Sequence, residues 1–241
     1  SGMKQSFRTL LLAAGLGTRL RPLTLKTPKC LVPIAGEALL GRWLRKLEQA
    51  GCESVLINTH YLAEQVEAFI KNWHSAKMTV QTIHEPELLG TAGTLLANQK
   101  FFEGKTGLLV HADNAMAGNL QDFLTAHRQR PSFCQMTMLT FETNNPRSCG
   151  IVEIDNQRII QAFHEKLEEP PGNRANGALY AFEQDLLDKL NMMNPIPADF
   201  STEVIPKFLG QIYSWHTDHA YLDIGTPESL ALAQQLLRKR K

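Results

Sequence analysis

Two glycines and a group of cations near the start of the chain have the residue types and spacing of a polyphosphate site. Gly15 and Gly17 follow a short apolar run and precede Arg19, Arg21 and Lys29. Both glycines are expected to adopt the positive φ angles of a tight turn, and such a turn exposes successive backbone N–H groups to phosphate oxygens. Guanidinium and ammonium groups add positive charge for the same oxygens. We therefore expect this segment to bind a phosphate chain.

Two other glycine-loop motifs do not fit the segment. The dinucleotide-binding fingerprint needs a third glycine where the chain has Leu20, and the P-loop needs Gly-Lys followed by Ser or Thr. A further alternative is that the glycines only shape a turn and that the cations are solvated. Thr18, Pro22, Pro28 and Pro33 lie in the same run. So many features in one short segment favour the phosphate interpretation.

Composition limits the class of protein. The chain has 241 residues, of which 43% are hydrophobic and 20% charged, which suits one large α/β domain with an ample core. The formal net charge of +1 gives no electrostatic case for binding nucleic acid or membranes. The four cysteines form no Cys-x-x-Cys pair, so we expect no zinc site and reduced thiols. There is no membrane-span or signal-peptide pattern, which indicates a cytoplasmic protein, and Ser1-Gly2 before Met3 is typical of an expression scar.

Strand and helix patterns alternate through the first half of the chain. Apolar runs predict strands at 7–13, 54–58, 79–84 and 107–112. Helical spacing predicts helices at 39–50, 63–71, 91–98 and 120–130. This alternation predicts a mainly parallel sheet flanked by helices. Ligands of such sheets bind beyond the carboxyl ends of the strands, so the loops at Ala14, Glu85 and Asp113 should converge on one crevice.

The second half of the chain has a different pattern. Short strands separated by turn residues are predicted at 133–141, 151–154, 159–164 and 178–182. Helices are predicted at 200–209 and 227–238. We therefore expect one α/β domain over residues 3–241, with a Rossmann-like, mixed and mainly parallel sheet and a smaller antiparallel extension. Its two halves would be 3–131 and 132–241.

The run Leu12–Pro33 resembles the signature of the sugar-1-phosphate nucleotidylyltransferases. The resemblance extends to Asp223-Ile224-Gly225-Thr226-Pro227 and so covers nearly the whole chain. These enzymes join a nucleoside triphosphate and a sugar 1-phosphate and release pyrophosphate. The resemblance implies the nucleotide-diphospho-sugar transferase fold, with a nucleotide-binding first half and a sugar-binding second half, as a monomer or homodimer. It also implies that the nucleotide is bound by Ala14, Gly15, Gly17, Thr18 and Arg19.

The same resemblance implies a Mg²⁺ ion held by Asp113 and Asp223. Asp113 follows a buried strand, and Mg²⁺ in proteins is usually held by one or two carboxylates plus substrate phosphates. The alternative for Asp113 is a cap of the following helix. A sugar phosphate has a second pKa of about 6 and is already an anion, so it can attack the α-phosphorus without a protein nucleophile. Arg19, Lys29, Asp113 and Asp223 are the expected catalytic residues.

The segment from Glu85 to Gly93 resembles the base-recognition loop of this family. Its Gly-Thr-Ala-Gly form is most similar to guanylyltransferases that use mannose or heptose 1-phosphate. Guanine presents two donors on its pairing edge, and an ionised carboxylate only accepts, so Glu85 suits guanine. Gly90 and Thr91 are the other expected nucleotide contacts. The alternatives are a uridylyltransferase of a hexose or amino-sugar 1-phosphate and a loop of merely solvated acids.

Four residues of the second half match the sugar-binding positions of the family. Glu165 and Lys166 match its Glu-Lys pair, although Leu167 stands where the family usually has proline. Asn176 would bind the sugar, and Gly150 would let the backbone approach it. The alternatives are a surface ion pair and an ordinary turn.

A non-catalytic paralogue that only senses a nucleotide sugar is the competing class of function. Loss of Arg19, Lys29, Asp113 or Asp223 would mark such a protein, and all four are present. The expected partners are therefore a nucleoside triphosphate and a sugar 1-phosphate, with no nucleic acid and no membrane.

Overall fold

The structure is a computed structural model that describes residues 6–238. Its strands are β1 Phe7–Leu12, β2 Pro33–Ile34, β3 Glu37–Ala38, β4 Ser54–Thr59, β5 Thr79–His84, β6 Thr106–His111, β7 Asn114–Met116, β8 Met136–Glu142, β9 Gly150–Ile154, β10 Ile160–Glu165, β11 Arg174–Phe182, β12 Ile212–His216 and β13 Tyr221–Asp223. Its helices are α1 Leu39–Gln49, α2 Ala63–Lys71, α3 Thr91–Ala97, α4 Gln121–Arg128, α5 Gln184–Asn191 and α6 Pro227–Leu236. None of the helices described is both long and apolar enough to cross a membrane.

The chain forms two compact units. The first lies within Ser1–Leu88, Val110–Leu120 and His219–Lys241, and the second within Leu89–Leu109 and Gln121–Asp218. Strand β6 therefore begins in the second unit and ends in the first. The first unit draws on three separate stretches, and so its candidate residues come from distant parts of the sequence.

Parallel strands form the centre of the first unit. Strand β1 pairs with β4 and β4 with β5, all in parallel. Strand β4 is buried along its whole length, as is typical of an inner strand of a parallel sheet, whereas β5 is more exposed. Ala112, directly after β6, donates its N–H to the carbonyl oxygen of Leu12 at 3.0 Å. This hydrogen bond brings the loop after β6 beside the loop after β1.

Helix α1 supports a two-stranded antiparallel pair in the same unit. Its apolar spacing buries Trp43 and Leu47, and the Trp43 indole N–H donates to the carbonyl oxygen of Asn114 at 2.8 Å. Asn114 is the first residue of β7, and its register partner in β13 is Asp223. The helix thus supports the strand pair that begins directly after Asp113 and ends at Asp223.

The second unit contains an antiparallel group of strands in the order β10-β9-β11-β8, with β12 parallel to β8. Aromatic side chains fill its core. Tyr180, Phe182 and Phe200 are fully buried, and the Tyr180 and Phe200 rings lie 4.4 Å apart between centroids. Burial of such large rings contributes strongly to the stability of a core.

The α/β fold class is confirmed, with a mixed and mainly parallel sheet flanked by helices and smaller antiparallel pairs. The bounds predicted for α2 and β5 are those observed, and α1 ends one residue before the predicted Ala50. Gly51 follows with φ +86°, as expected for a glycine that ends a helix. Hydrophobic periodicity and the glycine at the helix end were therefore sufficient to predict the bounds of these elements.

The helix predicted at 200–209 is wrong in type. A π-helical turn, Phe200–Val204, is followed by a 3-10 turn, Ile205–Phe208. Pro206 has no N–H and cannot extend an α-helical hydrogen-bond pattern. Asp199 begins the first turn, because its side chain accepts the N–H of Thr202 at 2.9 Å.

A buried histidine joins helix α4 to the sheet of the second unit. The His127 ring lies 2.7 Å from both the Thr137 hydroxyl and the Glu183 carboxylate. A carboxylate only accepts, so Nε2–H donates to Glu183 and Nδ1 accepts from Thr137. The Thr106 hydroxyl also donates to Glu183, at 2.7 Å. Burial lowers the pKa of His127, against the opposing effect of Glu183, so the ring is neutral in the folded state.

This lowered pKa predicts an acid-sensitive contribution to stability. Below about pH 6.5 the unfolded chain protonates His127 while the folded chain resists protonation, so stability falls as the pH falls. Urea denaturation of the wild type at pH 7.5 and pH 5.5 should show this loss. The variant His127→Gln should show a smaller difference between the two pH values. The same change at the exposed His74 should leave the wild-type pH dependence in place, and an unaltered dependence in His127→Gln would contradict the assignment.

Candidate active site

The glycine turn after β1 is shaped by Gly17. Its φ is +64°, and a Cβ there would lie 2.8 Å from a methyl carbon of Thr24. The Thr24 hydroxyl donates to the carbonyl oxygen of Gly17 at 2.5 Å, which closes the turn. Only glycine combines this backbone conformation with this lack of space. The expectation of positive φ at Gly15 is wrong: its φ is not positive, and a Cβ there would meet no atom within 4 Å.

Among the described residues, the turn leaves several backbone donors without a protein acceptor. Ala14 is buried, whereas Gly15, Thr18 and Arg19 are exposed. Within residues 6–238, the N–H groups from Gly15 to Arg19 donate no hydrogen bond to the protein. Backbone N–H groups are strong donors that seek a partner. The segment therefore has the unsatisfied donors that a phosphate chain requires.

Lys29 lies against Asp113 in the same unit. Its ammonium is 3.1 Å from Oδ2 of Asp113, with the lysine side chain 11% and the aspartate side chain 41% exposed. Lys29 begins a 3-10 turn after the extended residue Pro28. It also packs against the glycine turn, since a Cβ on Gly17 would lie 3.3 Å from the Cβ of Lys29.

Burial raises the pKa of the neighbouring Cys30 thiol to about 12. That thiol stays protonated and is no nucleophile.

Asp113 and Asp223 are neighbours through the backbone. The N–H of Ile224 donates to the carbonyl oxygen of Asp113 at 2.9 Å. Burial opposes ionisation of Asp113, but Lys29 and His111 outweigh it and hold the pKa of that carboxyl below its usual value. Partial burial and the charge of Asp113 raise the pKa of Asp223. Two carboxylates therefore share one small region, and the second ionises less readily because of the first.

Arg19 reaches the same region from the glycine turn. A Cβ added to Gly225 would lie 2.6 Å from Nη2 of Arg19 and 3.1 Å from Oδ2 of Asp223. The guanidinium therefore rests on the backbone of Gly225. The structure brings all four residues expected to be catalytic into one part of the first unit: Arg19, Lys29, Asp113 and Asp223.

Glu85 is also in the first unit, at the end of β5. It is buried, and Nδ2 of Asn58 donates to its carboxylate at 3.4 Å. Oδ1 of Asn58 in turn accepts the N–H of Ala13 at 2.8 Å. The Asn58 side chain thus connects the start of the glycine turn with Glu85. Sequence reasoning missed this residue, although its position at the end of a buried strand was a usable signal.

Gly90 and Thr91 lie in the second unit, at the start of α3. Gly90 has φ +86° and ψ 163°, and a Cβ there would lie 2.5 Å from the carbonyl oxygen of Ala198. The same oxygen accepts the N–H groups of Ala92 at 2.8 Å and Gly93 at 3.1 Å. The Thr91 hydroxyl accepts the N–H of Phe200 at 2.7 Å. This loop is therefore anchored to residues 198–200.

Glu165 and Gly150 are register partners in β10 and β9. A Cβ on Gly150 would lie 2.6 Å from the Phe163 ring and 3.0 Å from Oε2 of Glu165, so the absent side chain makes room for both. Partial burial, with a smaller effect of Asp199, raises the pKa of Glu165. Lys166 follows with φ +51°, an uncommon value for a residue with a side chain.

Asn176 lies inside β11 at an irregularity, not in a turn before the strand. Its Oδ1 accepts the N–H of Ala178 at 2.8 Å, and its Nδ2 donates to the Tyr180 hydroxyl at 2.7 Å. Burial raises the pKa of Tyr180 far above its usual value, so the hydroxyl remains protonated. Both ends of the amide are held, and Tyr180 is a second residue that sequence reasoning missed.

Comparisons with known proteins address the family of this chain. The family model for nucleotidyl transferases matches residues 8–240. A mannose-1-phosphate guanylyltransferase of Mycobacterium tuberculosis is 30% identical over 223 residues, which cover 91% of this chain and 61% of that protein. The mannose-1-phosphate guanylyltransferase catalytic subunit beta of Drosophila melanogaster is 32% identical over 227 residues, which cover 92% of this chain and 60% of that protein.

The chain thus spans about three-fifths of the length of these relatives. A Bacillus anthracis protein crystallised with sucrose has the same fold, with a TM-score of 0.87 at 20% identity over 98% of this chain and 96% of that one. Since the family model matches nearly the whole sequence, the chain belongs to the nucleotidyl transferase family.

Proposed function

We propose that the protein is a sugar-1-phosphate nucleotidylyltransferase that transfers a guanylyl group from GTP to a sugar 1-phosphate of the mannose or heptose type. The products are a GDP-sugar and pyrophosphate. The observation that carries this proposal is the convergence of Arg19 and Lys29 with Asp113 and Asp223 beside a turn with unsatisfied N–H donors. The guanylyltransferase names of relatives at 30% and 32% identity favour guanine and mannose.

The chain's own groups act by binding and charge neutralisation. The N–H donors of the glycine turn and the Arg19 guanidinium bind the triphosphate, whose negative charge grows on the departing pyrophosphate. Lys29 adds a cation whose position is fixed by Asp113 and by its burial. The sugar phosphate supplies the attacking oxygen, so the nucleotide must be held with its α-phosphorus in line with that oxygen.

Asp113 and Asp223 fit a Mg²⁺ ion. Both offer oxygen ligands, which this ion prefers, and the charge of Asp113, after burial, contributes to the raised pKa of Asp223, so the two carboxylates are close enough to interact. Within residues 6–238 no group of three or more potential metal ligands is present. Phosphate oxygens and water would then complete the coordination of the ion by the two carboxylates. When bound, Mg²⁺ would neutralise phosphate charge.

The second unit would bind the sugar. Glu165 presents an exposed carboxylate, and the Asn176 amide is held in one orientation. Carboxylate and amide groups suit sugar hydroxyls, because each oxygen accepts and the amide also donates. Lys166 would contact the sugar phosphate.

A pyrophosphate-release assay tests the proposed function directly. The full chain would be incubated with Mg²⁺, each of the four common nucleoside triphosphates and a panel of sugar 1-phosphates. We expect the highest kcat/KM with GTP and mannose or heptose 1-phosphate. Activity with UTP but not with GTP would overturn the guanine assignment. Binding of a nucleotide sugar without turnover of any triphosphate would instead indicate the regulatory paralogue.

The Tyr180 hydroxyl provides a separate test of the sugar side. Tyr180→Phe removes the acceptor of the Asn176 amide, and one such hydrogen bond is worth about 1 kcal/mol. We expect KM for the sugar 1-phosphate to rise about five-fold while KM for GTP is unchanged. Tyr213→Phe, on β12 of the same unit, is the matched control. An equal rise of both KM values would contradict a role confined to the sugar.

A further inference from the structure

Gly225 lies in the first unit between Asp223 and the start of α6, and its surroundings are unusual for a glycine. Its φ is not positive, so the backbone conformation itself does not require glycine. The space above it is occupied instead. A Cβ would lie 2.6 Å from Nη2 and 3.2 Å from Cζ of Arg19. The guanidinium of Arg19 therefore occupies the space that a side chain at position 225 would need.

The backbone around Gly225 is held by hydrogen bonds on both sides. Its N–H donates to the Ser229 hydroxyl at 3.1 Å, and Ser229 and Thr226 cap the first turn of α6 with reciprocal hydrogen bonds. On the other side, the N–H of Ile224 is held by the carbonyl oxygen of Asp113. Fixed backbone on both sides means that a side chain at 225 would displace Arg19 rather than the chain.

We infer that Gly225 is a positioning residue, which holds the Arg19 guanidinium beside Asp223 in the orientation that binds the triphosphate. This inference rests on the proposed function, since it concerns the proposed role of Arg19. The exposed Arg19 side chain has many rotatable bonds. Contact of its planar guanidinium with the bare backbone of Gly225 reduces the number of orientations that the side chain can adopt. Gly225 acts only through Arg19 and contributes no group of its own to the substrate.

Gly225→Ala is the test, with binding of inorganic tripolyphosphate by titration calorimetry as a readout independent of turnover. Arg19→Ala and the double variant Arg19→Ala/Gly225→Ala complete a cycle. We expect Gly225→Ala to weaken tripolyphosphate binding and to raise KM for GTP about 10-fold, with KM for the sugar 1-phosphate unchanged. In the Arg19→Ala background the same change should have a much smaller effect, because only the contact with Asp223 remains. Gly172→Ala, where a Cβ meets no atom within 4 Å, is the matched control.

Three results would overturn the inference. The first is wild-type affinity in Gly225→Ala, and the second is an absence of tripolyphosphate binding by the wild type. The third is an undiminished loss from Gly225→Ala when Arg19 is already alanine. If Gly225→Ala proves unstable, the double variant should regain most of the lost melting temperature, because the nearest clashing atom belongs to Arg19 and only the 3.1 Å contact with Oδ2 of Asp223 remains. Failure to regain it would also refute the role. A wild type that binds tripolyphosphate with this coupling but turns over no nucleotide would refute the proposed function alone.

Discussion

Replacing either Asp113 or Asp223 with alanine is expected to lower kcat by about 10³-fold, the scale of losing a main electrostatic contributor at a reacting centre. Asp113 anchors the Lys29 ammonium, and Asp223 lies beside the Arg19 guanidinium. Each change would remove one of the two proposed Mg²⁺ ligands, and Asp113→Ala would also leave the Lys29 ammonium without its ion-pair partner. Pyrophosphate release measured across a range of Mg²⁺ concentrations is the test, and removal of Mg²⁺ with EDTA should abolish wild-type turnover.

The two variants should differ in stability. Asp113→Ala leaves the buried Lys29 without its carboxylate, so it should lower the melting temperature more than Asp223→Ala. Asp188→Ala, on the exposed face of α5, is the control for loss of a carboxylate and should keep wild-type activity. Turnover within 10-fold of the wild type in both site variants would exclude the pair from the reaction.

Gly90→Ala is expected to destabilise the protein by about 2–4 kcal/mol. Gly90 has φ +86° and ψ 163°, a region that is essentially restricted to glycine, and enforcing it on another residue costs about 1–3 kcal/mol. The new Cβ would also lie 2.5 Å from the carbonyl oxygen of Ala198. That oxygen is fixed by two N–H donors from the first turn of α3, so the clash and the loss of these hydrogen bonds would add to the backbone strain.

Gly93→Ala is the matched control in the same turn. Gly93 is helical, and its Cβ would make a close contact of 3.3 Å with the Cβ of Leu89, so the helical preference of alanine and this contact should nearly cancel. Urea denaturation of the two variants gives the comparison. We also expect Gly90→Ala to raise KM for GTP, because Thr91 would move with the loop. A free energy of unfolding within about 0.5 kcal/mol of the wild type would show that the loop relaxes without cost.

Local patterns were sufficient where an element is determined by its own residues. The spacing of Trp43, Leu44 and Leu47 predicted α1, and the apolar run before Asp113 predicted β6. Burial of one face of a helix, or of a whole inner strand, leaves a direct trace in the sequence. The glycine turn was recognisable for the same reason, since Gly17 and the cations after it lie within one segment.

Contacts between distant segments left no such trace. Arg19 and Gly225 lie at opposite ends of the chain, and nothing near either residue indicates that one rests on the other. The pair Asn176-Gly177 is typical of a turn, yet the structure places it inside β11, where an irregular register and a φ of +52° at Ala178 accommodate it. Turn propensity was outweighed by strand pairing, which depends on β8 and cannot be read from the segment itself.

The Asn58 side chain has a consequence for how this site could evolve. One amide accepts from the backbone at the beginning of the glycine turn and donates to the Glu85 carboxylate. The group expected to select the nucleobase is therefore linked to the turn expected to bind the phosphates through one asparagine side chain. A substitution of Glu85 that changed the nucleotide preference would then also disturb the glycine turn through Asn58. Evolution at Glu85 or at the turn would therefore require a compensating change at the other.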